Sequence, residues 1–339
     1  MPPASPLGAS LLVAPPALPQ TEAAGLAKAH FGLSGRLSRL TSERDVNYLL
    51  DSPAGKFVLK LSNPAEPAEV TDLQTRALVH LEPAGLPVPR VVRTLDGRTE
   101  VAMSQGVLRL LTYLDGDLMH RHPGSAALRR AMGAMTARLA LGLRGYSHPA
   151  ARHVLQWDIR HAAALRALTG DLPADLVATV NAALDRFEAG VAPRLPGLRW
   201  QVVHNDLNPH NILVSADGTE VTGILDFGDM VETPLVCDLA VAASYQVDPS
   251  APLDSLVQFA GAYHEVLPLT SEEAELILPL TEARWLTTLL ITAHRAALYP
   301  ENATYILRNA AKARAGIQAF AGLDRDAATR TLLSTLRPR

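Results

Sequence analysis

The chain has 339 residues and a formal charge of −3, with 31 basic and 34 acidic side chains mixed along its length. A chain this long can bury a large core and suits two lobes or domains, and its charge balance gives no support to nucleic-acid or membrane partners. The single cysteine, Cys237, excludes an intramolecular disulfide, fits a reducing cytosol and, with apolar neighbours, reads as a core residue.

No apolar run approaches the roughly 18 residues of a membrane span. Residues 1–20 are rich in Pro and Ala and carry no Lys or Arg, so a frayed tail is expected there rather than a secretory signal. From 21 to 112 the pattern is that of a small strand-rich lobe. Leu40–Tyr48, with Ser42-Glu43-Arg44-Asp45 at its centre, reads as a polar turn. Lys56–Leu61 alternates as a strand, with Phe57, Leu59 and Leu61 on one face and Val58 and Lys60 on the other. A buried strand lysine is costly unless its ammonium meets an anion, although a half-exposed strand would tolerate Lys60 without one. Gly55-Lys56 does not make a P-loop, because the upstream glycine is missing and Phe57 stands where Ser or Thr is needed.

Residues 66–82 read as a helix, with Val70, Leu73, Gln74, Ala77, Leu78 and Leu81 on one face and Pro83 and Gly85 at its end. A turn at Asp96-Gly97 and a strand over Val107–Leu114 complete the lobe. Beyond it, from 113 to 339, the chain is expected to be mostly helical, with Ala- and Leu-rich runs near 124–144, 158–168 and 174–189.

The densest signal lies at 200–229, WQVVHNDLNPHNILVSADGTEVTGILDFGD. Two apolar runs flank Asp217-Gly218, a strong hairpin signature. With those two residues as the turn, Val214 pairs with Val221 and Ile212 with Gly223, and Asn211 and Asp226 emerge together at the open end. Asp206 and His204 sit on the loop leading in. Two carboxylates and a carboxamide at one sheet edge are hard oxygen donors that suit Mg²⁺.

His204-x-Asp206, Asn211 and Asp226-Phe227-Gly228 together resemble the catalytic loop and metal motif of the protein-kinase-like phosphotransferases. The resemblance implies an α+β two-lobe fold with a small antiparallel-sheet lobe and a large helical one. It makes Asp206 the base, and Asn211 and Asp226 the Mg²⁺ ligands. Lys60 becomes the lysine on the nucleotide's α/β-phosphates, with Ser42 and Asn47 in the turn that covers them. Leu111 to Leu114, Tyr113 included, become the hinge at the base of ATP or GTP. The turn departs from the protein-kinase pattern in not being glycine-rich. Gln74 stands where a helix glutamate usually meets the lysine, with Glu69 or Asp72 as possible substitutes. His204 supports the loop. Asp238, in Cys237-Asp238-Leu239-Ala240, resembles the residue that steadies the catalytic loop in aminoglycoside-type kinases, and would also serve as a helix cap.

SERDVNYLL, VLKLSNPAE, LPVP, HNDLNPHNILV, GILDFGDM and the late LYPEN are similar to the hydroxylysine kinase group of the aminoglycoside/choline kinase superfamily. The implied acceptor is an amino alcohol or hydroxy amino acid. Its ammonium groups would meet Asp229 and Glu232, and its carboxylate the fork of Arg284, with Arg295 behind it. Each arginine would equally serve as a structural salt bridge, and Trp285 reads as core. Homoserine, choline or ethanolamine, and aminoglycosides remain alternative acceptors, as does an inactive kinase fold used as a binding module.

Overall fold

The computed structural model describes residues 15–42 and 44–336. The chain opens with helix α1 (Gln20–Phe31), followed by β1 (Arg36–Leu40), β2 (Val46–Ser52), β3 (Gly55–Leu61), α2 (Ala68–Leu81), β4 (Val91–Val92), β5 (Val101–Met103) and β6 (Gly106–Thr112). These strands form one antiparallel sheet in the order β1-β2-β3-β6, with β4 and β5 sharing the free edge of β6 at different ends. The sheet divides its faces as the alternation of Lys56–Leu61 predicts. Leu59 and Leu61 go into a small core with Tyr48, Leu50, Leu108 and Leu110, which α1 closes through Ala23, Ala27 and Phe31. Val58 and Lys60 face the cleft. The tail expected over 1–20 does not hold at its C-terminal end. Residues 1–14 lie outside the described residues, whereas Leu18 is buried in the small core and its carbonyl accepts from the Tyr48 hydroxyl at 2.8 Å.

The second lobe follows β7 (Asp117–Leu118) with α3 (Ala126–Gly142), a long 3₁₀ segment at Ile159–Asp171 and α4 (Ala174–Gly190). Next come β8 (Trp200–Val203), β9 (Ile212–Val214), β10 (Val221–Ile224) and β11 (Val231–Pro234), then α5 (Leu235–Ser244), α6 (Pro252–Val266) and α7 (Ser271–Leu298). Helices α8 (Ala303–Ile306), α9 (Ala310–Ala321) and α10 (Arg325–Thr335) finish the chain. The fold is thus α+β, an antiparallel sheet lobe on a helical one.

Every residue of α5 is buried, Cys237 among them. Helix α7 passes through the centre of the large core. Contrary to the sequence expectation, α7 is long and apolar enough by composition to cross a membrane, yet 89% of that window is buried inside the fold. An apolar helix surrounded by other helices is a core element, and each fully buried Leu or Ile on it contributes about 1.5–3 kcal/mol. Its start is fixed by a capping box in which Thr270 and Glu273 satisfy each other's backbone amides. Trp285 packs in this core, its indole N–H donating to the Ser244 carbonyl at 3.1 Å.

Candidate active site

The β9–β10 hairpin forms, but its turn is closed by the Gly218 amide donating to the Ser215 carbonyl at 2.8 Å, which makes Ala216 and Asp217 its central pair. Its register also departs from the regular pairing. Val214 faces Val221 as expected, whereas Gly223 faces Leu213 and Ile212 faces Ile224, because a bulge intervenes between Val221 and Gly223. A bulge adds one residue to one strand and twists the pair. Asn211 and Asp226 still leave the open end together, the Leu225 amide donating to the Asn211 carbonyl at 2.7 Å.

Among the described residues, two other than glycine carry positive φ, Asn205 (64°) and Asp226 (53°), and both are in this site. Such backbone costs free energy and persists only where neighbours enforce it. Asp238 enforces the first by accepting the Asn205 amide at 2.7 Å. It does so from the first turn of α5 rather than as a helix cap. His204 is fully buried, donates from Nε2 to the Leu225 carbonyl at 3.0 Å and accepts the Asp206 amide on Nδ1 at 3.3 Å. Burial lowers its pKa and keeps it neutral, which suits that pair of bonds.

Asp206 is held from both oxygens. Oδ2 accepts from Asn208 at 2.7 Å and from Asn211 Nδ2 at 2.8 Å, and Oδ1 meets Arg284 at 3.1 Å. Burial pushes its carboxyl up to about 6 against the pull of Arg284, close to the range a base working near neutrality needs. Asn211 spends its amide hydrogens on Asp206, whose backbone carbonyl also accepts from Nδ2 at 3.0 Å. Asp226 behaves oppositely to Asp206: its side chain is half exposed, and Lys60, with its ammonium 3.5 Å away, holds its carboxyl down at about 2.

Two cavities meet here. One, of about 540 Å³, runs from Lys60, Val58 and Leu78 to Leu111, Tyr113 and Leu114. The other, of about 350 Å³, is bounded by Asp206, Asp229, Arg284, Trp157, Tyr245 and Arg295. Asn47, His210, Asn211 and Asp226 line both. The expected hinge residues Leu111 and Tyr113 line the larger cavity, and the Tyr113 amide donates to the Lys56 carbonyl at 3.0 Å.

Several expected roles are corrected. Gln74 does not meet Lys60: its Oε1 accepts from Arg109 at 3.0 Å and its Nε2 donates to Glu66 at 3.2 Å. Neither Glu69, which is exposed, nor Asp72, which pairs with Arg76 and His148, takes its place. Lys60 instead pairs with Asp45 at 2.9 Å. Burial would raise the Asp45 carboxyl, but Lys60 outweighs it and holds it below the usual range. Ser42 lines the smaller cavity, not the larger, and its hydroxyl accepts the Asp45 amide. Glu232 faces away from the cleft because β11 pairs with β8 and turns its carboxylate to Arg152, at 2.7 Å. Asp229 does line the smaller cavity, bound there to Arg44 at 2.9 Å. Arg284 reaches the cavity but is engaged by Asp206, the Tyr245 hydroxyl and the Trp157 carbonyl, with its plane near the Trp157 and Tyr245 rings at 5.2 and 5.7 Å. Sequence reasoning missed Arg44, Asp45, Arg109, Trp157 and Tyr245. For the first two the signal was present, as adjacent charges in the expected phosphate turn.

A two-lobe fold with a held carboxylate in one of two adjoining cavities fits a small-molecule phosphotransferase. The model of the APH family, described as the phosphotransferase enzyme family, matches residues 36–276, and the chain belongs to that family. A hydroxylysine kinase of Danio rerio is 30% identical over 314 residues, which cover 86% of this chain and 88% of that protein. A homoserine kinase of Nitrobacter winogradskyi is 28% identical over 238 residues, covering 69% and 71%. The solved structure of amicoumacin kinase hAmiN in complex with AMP-PNP, Ca²⁺ and Ami superposes with a TM-score of 0.68 at 15% identity, covering 91% of this chain and 97% of that one, a likeness of fold.

Proposed function

We propose that the protein transfers the γ-phosphoryl group of ATP or GTP to the hydroxyl of a hydroxy amino acid, with 5-hydroxylysine the best-fitting acceptor, in the cytosol. The observation that carries this reading is the shared wall: Asn211 and Asp226 line both cavities, and Asp206 lies on the smaller side. A nucleotide in the larger cavity would direct its terminal phosphate at that wall, and an acceptor hydroxyl beside Asp206 would meet it from the other side.

The donors fit Mg²⁺. Asp226 stays ionised, and Asn211, with its amide hydrogens engaged, presents its carbonyl oxygen as the remaining donor. No cluster of three His, Cys, Asp or Glu forms among the described residues, in keeping with an ion that takes the rest of its shell from phosphates and water. When bound, Mg²⁺ would neutralise charge on the transferring group. Lys60 steadies the α/β end, while Asp206 orients the acceptor hydroxyl and takes its proton. Arg284 and the two asparagines keep that carboxylate aimed.

The acceptor cavity favours a zwitterion. Asp229 supplies an anionic wall for an ammonium, and Arg295, three turns along α7 from Arg284, supplies a guanidinium for a carboxylate. Choline fits less well, since Arg284 already occupies the faces of Trp157 and Tyr245 that a quaternary ammonium would use. Homoserine is the second reading, supported by the homoserine kinase relative and by the same need for an acid and a guanidinium. The test is product formation with Mg²⁺, offering ATP and GTP separately against 5-hydroxylysine, homoserine, choline, ethanolamine and an aminoglycoside. Preference for hydroxylysine supports the first reading and preference for homoserine the second. Turnover confined to choline or an aminoglycoside defeats both.

A further inference from the structure

A lysine that works on phosphates from inside a cleft needs a fixed counter-charge, since a buried ammonium without one is costly and poorly placed. In protein kinases a helix glutamate supplies it. Here the helix position is committed elsewhere. Gln74 bridges Arg109 and Glu66, and Arg109, buried on β6, stands directly opposite Lys60 in the ladder. The corner therefore already holds a second cation that claims the helix residue.

The acid comes from the loop between β1 and β2. Asp45 Oδ2 lies 2.9 Å from Lys60 Nζ, with side chains only 13% and 12% exposed. The other oxygen, Oδ1, accepts the Asn63 amide at 3.0 Å, while Asn63 Nδ2 donates to the Arg44 carbonyl at 3.0 Å. The loop is thus pinned to the end of β3. The next residue back, Arg44, crosses to the other lobe and binds Asp229 on the acceptor side. It passes so close to Gly228 that a Cβ there would lie 3.1 Å from Arg44 Nη2, so the glycine leaves room for the crossing.

We infer that Asp45 is the positioning residue for Lys60, acting from the phosphate-covering loop where other kinases use a helix, and that Arg44 ties this same loop to the acceptor site. The inference rests on the assignment of Lys60 to the nucleotide's phosphates. Its consequence is that lysine placement depends on the loop, while the bond between Gln74 on α2 and Arg109 on β6 serves stability.

The test is a double-mutant cycle on the full chain, reading kcat and nucleotide Kd for Asp45→Asn, Lys60→Met and the pair. Asp45→Asn is expected to lower kcat about ten- to a hundredfold with nucleotide Kd within about threefold, a split that lost packing would not produce. The double variant is expected to be no slower than Lys60→Met alone, because Asp45 acts through the lysine. Asp45→Ser runs the same cycle should the Asn variant fail to fold. Gln74→Ala is expected to melt earlier with kcat within about threefold of the parent. Turnover at the parent rate in the Asp45 variant, or losses that multiply in the pair, would overturn the inference and leave the nucleotide site standing. Unchanged kinetics and binding in Lys60→Met would remove the lysine assignment itself, and the inference with it.

Discussion

The larger cavity is lined by residues between Leu40 and Phe227, among them the strand pair Val58 and Lys60, the run Leu111 to Leu114, and Leu225 to Phe227. The smaller cavity reaches much farther along the chain, adding Tyr245, one face of α7 at Arg284 and Arg295, and residues as late as Arg308 to Arg44, Trp157 and Asp206. The difference follows from what each must recognise. On the proposed function, a nucleotide in the larger cavity would be met largely by strand and hinge backbone with one lysine, so the local pattern carries it. A small charged acceptor in the smaller one would be met by side chains that only packing can assemble.

Four substitutions bear on that contrast. Asp206→Asn should have the largest effect, lowering kcat about 10²–10⁴-fold while nucleotide binding persists, as product assays and calorimetry would show. Turnover near the parent rate would mean that the cavities do not meet at the base. Next, Asp229→Asn should raise the acceptor KM by roughly tenfold or more and the nucleotide KM much less, since an opposite charge is lost on one side only. Equal changes in both constants would erase the division between the cavities.

Arg284→Met sharpens the acceptor side through pH. The parent's kcat/KM should fall below about pH 6 as Asp206 takes up a proton and ceases to act as a base. Without the guanidinium 3.1 Å away, the carboxylate loses a stabilising cation, so the acid limb should move to higher pH. A limb that stays in place would assign it to another group. Glu232→Gln should do least, leaving kinetics within about twofold and stability within about 1 kcal/mol. Its partner Arg152 is largely exposed and lies outside the cleft. A raised acceptor KM there would return Glu232 to the site.

Much of the fold was legible because period and punctuation are local. The two-face reading of Lys56–Leu61, the helix ending before Pro83 and Gly85, and the hairpin itself all appear in the structure, its turn centred one residue earlier than Asp217-Gly218. The one-residue bulge of the hairpin was not legible, since Thr222 reads as an ordinary strand residue and only the paired strand reveals the extra position. Membrane-like composition in α7 likewise means little until its neighbours are in place.

By itself the sequence determined the candidate catalytic stretch, because Asp206, Asn211 and Asp226 lie within 21 residues on one hairpin and its lead-in, where chain connectivity alone keeps them together. Only the tertiary structure decided the partners. Arg284 joins Asp206 across 78 residues, and Asp229 meets Arg44 across 185. Gln74 turns from Lys60 to Arg109 because strand pairing sets that arginine beside the lysine. Charge pairing over such separations is chosen by which groups burial brings within a few ångströms, and that is a property of the packed chain.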